Sequence, residues 1–213
     1  DQTMTGLTIG KPDNTANMLH DVNAITVAGL ISMYGGTIKI DANLTSTATG
    51  NIFLKGVSGS NLDVTISSGK TIAKTGGTGT LTMQAHGRVN NSGTINTSGS
   101  GVLNVVMWSD FDNDNNDGGV SHMGTISTNG GHVWLGGSNS NGGSYTWNGL
   151  TVGDGPSIGS SGYNGNALDL YGNVTTNGGD FFAWAGNGIN GYANGIGTNG
   201  VLYIIDTGNT LYQ

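Results

Sequence analysis

The sequence predicts an all-β solenoid, and three observations predict it. The first is a unit that the chain repeats with variations. The stretch Gly124 to Gly137 sets a short strand, a glycine turn and a second strand alternating in and out, and variants of it begin at Gly29, Gly93, Gly172 and Gly195. A unit this small cannot bury its apolar face alone and must stack on copies of itself. The second observation is spacing. The starts are separated by 64, 31, 48 and 23 residues, and a coil of roughly 21 to 24 residues makes three of these intervals three, two and one turns. The interval of 31 is about eight residues too long and contains the chain's acidic run, Asp110 to Asp117. That run reads as a loop, residues 109–119, inserted into one coil. The third is periodicity: apolar residues alternate in pairs and triplets throughout, and no stretch carries a useful length of helical repeat.

Taken in order, strands are predicted at Gly6 to Ile9, Ala24 to Val27, Leu30 to Met33 and Thr37 to Asp41, with Lys11 to Asp21 a polar loop around Pro12. Ile52 to Gly56, Leu62 to Ile66, Thr71 to Lys74 and Thr80 to Ala85 follow. Glycines at 50, 59, 69, 76 and 87 fall close to half a coil apart, which suggests one strand per face with glycine at the corners. In Val102 to Trp108, Leu103, Val105 and Met107 should point inward. Val133 and Leu135, then Phe181 and Ala183, then Leu202 and Ile204 should continue the same columns, matched early in the chain by Ile38 and Ile40. From residue 129 onward there are nine Asn-Gly pairs, a signal for turns with positive φ. Gly136 to Gly149, Gly153 to Gly165 and Gly186 to Gly200 read as loops, so the second half should carry the longer ones, where binding usually lives.

Composition narrows the function. Glycine makes up 41 of 213 residues without a three-residue period, which excludes collagen. All 13 acidic residues are Asp, the residue that suits turns, whereas Glu suits helices. Residues 1–88 carry six cations and five Asp, while residues 89–213 carry eight Asp and no Lys or Arg. That distribution argues against nucleic acid and anionic membranes and leaves cations as partners. No apolar stretch is long enough to insert in a membrane. The absence of cysteine is compatible with an outside location. Residues 1–213 read as a single solenoid domain, a segment of something longer.

Ile25 to Ser46, with its Gly35-Gly36 turn, resembles the repeat region of very large bacterial surface proteins of the filamentous haemagglutinin type, and so do Trp108 to Asp117 and Gly124 to Gly131. The resemblance covers most of the chain. It implies a right-handed parallel β-helix; with the coil length read above, 213 residues make about nine or ten coils, roughly 45 Å at about 4.8 Å per coil. It also implies an extracellular or bacterial cell-surface location, with a role in adhesion or biofilm formation. No catalytic residue comes with it, and the chain is read as a non-enzyme.

Two sets of side chains are candidates for binding. Asp110, Asp112 and Asp114 alternate and Asp117 follows. Carboxylates so arranged can converge on calcium, which takes six to eight oxygens, although the loop lacks the glycine and closing glutamate of a helix-loop-helix site. The competing reading is a solvated insertion. Trp134, Phe182 and Tyr203 align at one outward position, with Asn104 earlier in the column and Trp184 close by. Aromatic faces on an acidic surface suit sugar rings, so Trp134, Phe182, Trp184 and Tyr203 are the candidate glycan-binding residues. The competing reading stacks these rings on one another beneath the long loops. His20, His86, His122 and His132 lack metal-ligand spacing, which speaks against zinc and for turn or solvent-facing positions. Asp154, Asp169 and Asp180 are available for hydrolysis, but no motif singles them out. The partners expected are therefore cell-surface or matrix glycans or proteins, with end-to-end self-association through strand edges. The main rival is a stalk that binds nothing, which should show uniform short corners. A polysaccharide-degrading β-helix is a lesser rival, and an ice-binding face would need Thr-x-Thr rows that do not persist.

Overall fold

A computed structural model describes residues 3–20, 23–57, 63–114, 118–159, 166–191 and 195–207. It is a parallel β-solenoid with no helix among the described residues. The first coil holds β1 (Gly6–Ile9), β2 (Met18–His20) and β3 (Ile25–Val27), and the second β4 (Leu30–Gly35), β5 (Ile38–Ile40) and β6 (Leu44–Ser46). The third holds β7 (Ile52–Gly56), β8 (Val64–Ile66) and β9 (Thr71–Lys74), and the fourth β10 (Thr78–Ala85), β11 (Arg88–Asn91) and β12 (Thr94–Thr97). The fifth has β13 (Val102–Trp108), β14 (Gly119–His122) and β15 (Thr125–Ser127). The sixth begins with β16 (Val133–Gly136) and breaks out into the antiparallel hairpin β17 (Ser144–Trp147) and β18 (Leu150–Gly153). It then resumes with β19 (Leu168–Leu170) and β20 (Asn173–Thr175). The seventh has β21 (Phe181–Ala185), β22 (Ile189–Asn190) and β23 (Ile196–Gly197), and β24 (Leu202–Asp206) opens the eighth.

Each coil contributes one strand to each of three parallel sheets, of eight, seven and seven strands. Three corrections to the sequence reading follow. The glycine spacing suggested two faces where there are three. The described residues make seven coils and the start of an eighth, not nine or ten, because the turns are longer than expected. Val133 pairs with Phe181, 48 residues on, so the interval from Gly124 to Gly172 is one turn carrying a hairpin rather than two turns. The unit at Gly29 is also out of phase. Its first strand lies in the first sheet, whereas the strands after Gly93, Gly124, Gly172 and Gly195 lie in the third. Met18–His20, inside the expected loop, is a strand. The expected strand at Leu62 begins outside the described residues and emerges as β8.

The core is a set of stacked columns. In the first sheet Ile31, Ile52, Leu81, Val105, Val133 and Phe181 pair rung to rung, and beside them run Met33, Leu54, Met83, Met107, Leu135 and Ala183. All twelve have no solvent exposure. Ile38 and Ile40 are buried as expected, but they belong to the second sheet. The third sheet adds Leu44, Ile72, Ile95, Ile126 and Val174. Burial of each large side chain, at roughly 1.5 to 3 kcal/mol, offsets the ordering of a chain rich in glycine. Lys74 also lies inside, where its ammonium donates to Ser46 Oγ and Gly50 O, each at 2.9 Å, and to the Ala48 carbonyl.

The glycines that lead the repeats at Gly93, Gly124 and Gly172 have a steric cause. A Cβ on Gly124 would lie 1.8 Å from the Gly93 carbonyl oxygen, and one on Gly172 would lie 2.3 Å from that of Gly124. Coils touch backbone to backbone at this corner. Gly124→Ala is expected to lose about 1 to 3 kcal/mol of stability in urea unfolding followed by circular dichroism.

The second sheet holds a polar rung. His122 is fully buried; its Nδ1 lies 3.2 Å from Asn91 Nδ2, and its Nε2 lies 3.2 Å from the Asn173 carbonyl. Nδ1 accepts and Nε2–H donates, so the neutral ring is satisfied and the protonated ring is not. Burial lowers the His122 pKa from 6.5 to about 4. Unfolded chain then binds the proton that the folded chain refuses. Stability from this group is complete above about pH 6.5 and falls as the pH drops towards 4, by roughly 3 kcal/mol in all. His122→Gln should flatten that part of the stability profile, read by urea midpoints between these two pH values.

Candidate functional site

Two features interrupt the regular winding, and both leave the solenoid at the corner between the first and second sheets. One is the hairpin β17–β18, whose turn is Asn148-Gly149 with both φ angles positive, at 47° and 76°. The hairpin folds back over the outer face of the first sheet. Leu150 and Val152 pack with Val106, Trp108 and Trp134 into a second apolar cluster, with Phe111, Trp147 and Phe182 at its margin. Trp108 Nε1 donates to Ser138 Oγ at 2.7 Å. The tip is fixed by Asn148 Nδ2, which donates to Asp180 Oδ2 at 2.6 Å. Asp180 in turn accepts from the Val201 N–H at 2.8 Å, and its own N–H donates to His132 Nδ1 at 2.9 Å.

The register pairs Trp134 with Phe182 and Phe182 with Tyr203, so the outward column is real. Its earlier member is Val106 rather than Asn104. Asn104 does other work: its side-chain oxygen accepts the His132 N–H at 2.8 Å. Trp134 has no exposure at all, being covered by the hairpin. It offers no face to a sugar, and its place among the glycan-binding candidates is corrected here: it is a core residue. The remaining rings form a continuous ridge. Phe182 contacts Trp147 at 5.7 Å, Trp184 at 6.2 Å and Tyr203 at 5.9 Å between centroids, and Trp147 stands edge-on to His132 at 5.6 Å. Tyr203 is 45% exposed, so the ridge meets solvent on its last rung. Trp147 was not among the candidates because Gly136 to Gly149 reads as loop. The Asn-Gly pair flanked by Ser144 to Trp147 and Leu150 to Gly153 was the hairpin signal.

The other feature is the acidic loop. Asp110 N donates to Gly87 O and Phe111 N to Ala85 O, each at 3.1 Å, so the loop lies on the coil before it. Gly142 N reaches Phe111 O at 2.6 Å and Asn113 Nδ2 reaches Asn139 O at 2.8 Å, tying it to the insertion after it. Lys55 Nζ sits 4.4 Å over the Phe111 ring. Asp110 is wholly buried, with φ at +46°, and its Oδ1 accepts the Asp114 N–H at 3.2 Å. Burial, then the charges of Asp112 and Asp114, push its carboxyl up to about 6, and burial also raises Asp112. Asp112 Oδ2 and Asp114 Oδ2 lie 3.1 and 3.5 Å from His86 Nε2. Of the four predicted carboxylates, Asp112 and Asp114 share a cluster with His86, a histidine the sequence reading missed, and Asp110 couples to it by charge. Asp117 lies outside the described residues. The 24-residue offset that pairs Gln84 with Trp108 carries His86 onto Asp110, and that was the available signal.

Asp154, Asp169 and Asp180 do not converge. Asp154 anchors the hairpin base through the Asn139 N–H and the Ser140 hydroxyl, at 2.7 and 3.1 Å. Asp169 is buried on the second sheet. Comparison with protein-family models, curated proteins and solved structures finds no match.

Removing the two kinds of ring should cost very different amounts of stability. Trp134→Ala is expected to cost about 3 to 5 kcal/mol in denaturant unfolding. Tyr203→Ala is expected to cost roughly 1 kcal/mol or less.

Proposed function

We propose that this chain is an adhesive segment of a bacterial extracellular surface protein of the filamentous haemagglutinin type, and that it contacts glycans through the outer face of the first sheet. The observation that carries the reading is the ridge of Trp147, Phe182, Trp184 and Tyr203, clamped at one side by the hydrogen-bonded set Asn148, Asp180 and His132. A sugar ring packs its C–H face on an aromatic plane while its hydroxyls bond neighbouring carboxylates and amides. The ridge supplies the planes, and Asp180 and Asn148 supply polar groups beside it. Phe182 and Trp184 stand on β21, which is paired with a strand on each side, so these two rings lose little freedom on binding.

A stalk is the second reading, and the first four coils favour it: none breaks out into a hairpin, and rung spacing in the first sheet stays between 21 residues, from Ile31 to Ile52, and 29, from Ile52 to Leu81. The sixth coil separates the two readings. A turn of 48 residues that folds a hairpin over one face is not what uniform stiffness needs.

A glycan array probed with the chain tests the proposal. Binding to defined saccharides that falls at least about tenfold in Tyr203→Ala, with the fold intact by circular dichroism, is the expected result. No binding to any saccharide returns the chain to the stalk reading.

A further inference from the structure

We infer that His86, Asp112 and Asp114 form a binding site for a divalent transition ion of the zinc class, set between the fourth and fifth coils. One donor atom from each residue lies within 4.8 Å of the other two. The two histidine–carboxylate separations are 3.1 and 3.5 Å. An ion with bonds of about 2.0 to 2.2 Å holds neighbouring tetrahedral donors roughly 3.3 Å apart. These separations match that edge with the side chains where they stand.

Acidic loops are common without ions, and two further observations set this one apart. The first lies underneath. The Asp110 side chain has no exposure, its charge acts on the same cluster, and its Oδ2 has no hydrogen-bond partner among the described residues. Asp112 Oδ1 is likewise buried without a partner. Buried carboxylate oxygens need a compensating charge. Here the charges of Asp112, Asp114 and His86 act on Asp110, and three carboxylates share one imidazole. A divalent ion on His86 Nε2 supplies the missing charge.

The second observation is the nitrogen donor itself. Calcium prefers six to eight oxygens, whereas an imidazole with two carboxylates suits zinc and its neighbours in the transition series. The histidine therefore changes the class of ion expected from the carboxylates alone. Asp110 is a positioning residue, holding the Asp114 backbone through Oδ1. The ion would staple the insertion to the coil before it. The site stands apart from the aromatic ridge and does not depend on the glycan reading.

The test is calorimetric titration of zinc chloride into chelator-treated protein, beside calcium and magnesium chloride, with cobalt chloride as the spectroscopic probe. One zinc per chain is expected, with a melting point raised by zinc and not by millimolar calcium, and visible absorption from bound cobalt in low-symmetry coordination. His86→Ala and Asp112→Asn should each lose at least about tenfold in zinc affinity, and Asp13→Asn, at an exposed carboxylate outside the site, should lose none. Absence of zinc heat and of any zinc-dependent shift in the wild-type melting point would overturn the site, as would zinc binding that survives His86→Ala. Calcium binding tighter than zinc would overturn the assignment of the ion.

Discussion

Everything in this molecule depends on the main-chain ladder that runs along its axis. Parallel strands bond to the rung below and the rung above, so each residue is forced to sit over its counterpart one coil away. The sequence must then satisfy a stacking rule. Ile31, Ile52, Leu81, Val105, Val133 and Phe181 are apolar because each is the floor of the next. Gly93, Gly124 and Gly172 stay glycine because their backbones touch. The rule extends to polar groups inside, which bond from coil to coil, such as Lys74 on the carbonyls of the preceding coil and His122 between Asn91 and Asn173.

The ladder also dictates where novelty can enter. An insertion within a strand would break pairing on two sides, so extra residues accumulate at corners. In this chain they accumulate at one corner, between the first and second sheets. The acidic loop and the hairpin both leave there, and they bond to each other through Asn113 and Gly142. Among the described residues the periodic scaffold has thereby acquired an irregular edge, and the aromatic ridge and the His86 cluster lie along it or beside it.

The inward columns were legible in the sequence because alternation survives any error of register by a whole coil; the exception is Leu202, expected inward but 47% exposed on the last rung. The solenoid class was legible for the same reason. Phase was not. Gly29 leads a strand, a glycine turn and a second strand just as Gly124 does, yet one starts in the first sheet and the other in the third. Glycine corners look alike on all three edges, and nothing local says which edge a corner occupies. The count of coils failed with the phase, since a turn carrying a hairpin has the length of two plain turns. His86 shows the same blindness at a site: it is remote from Asp112 in the chain and adjacent to it in space, and only a correct phase brings the two together.

Trp134 and Tyr203 make the remaining point about what a column can and cannot say. The two occupy equivalent outward positions, two rungs apart, with Phe182 between them. By pattern they are the same residue. One is sealed beneath Leu150 and Val152, and the other faces solvent, because the hairpin reaches over the sixth rung and stops short of the eighth. Register decides the direction in which a side chain leaves the sheet; the cover over it is decided by an insertion encoded elsewhere. The position of the hairpin therefore turns a uniform aromatic column into a buried anchor at one end and an exposed ridge at the other. The ridge is tied to that anchor through Phe182, which packs against the cluster containing Trp134.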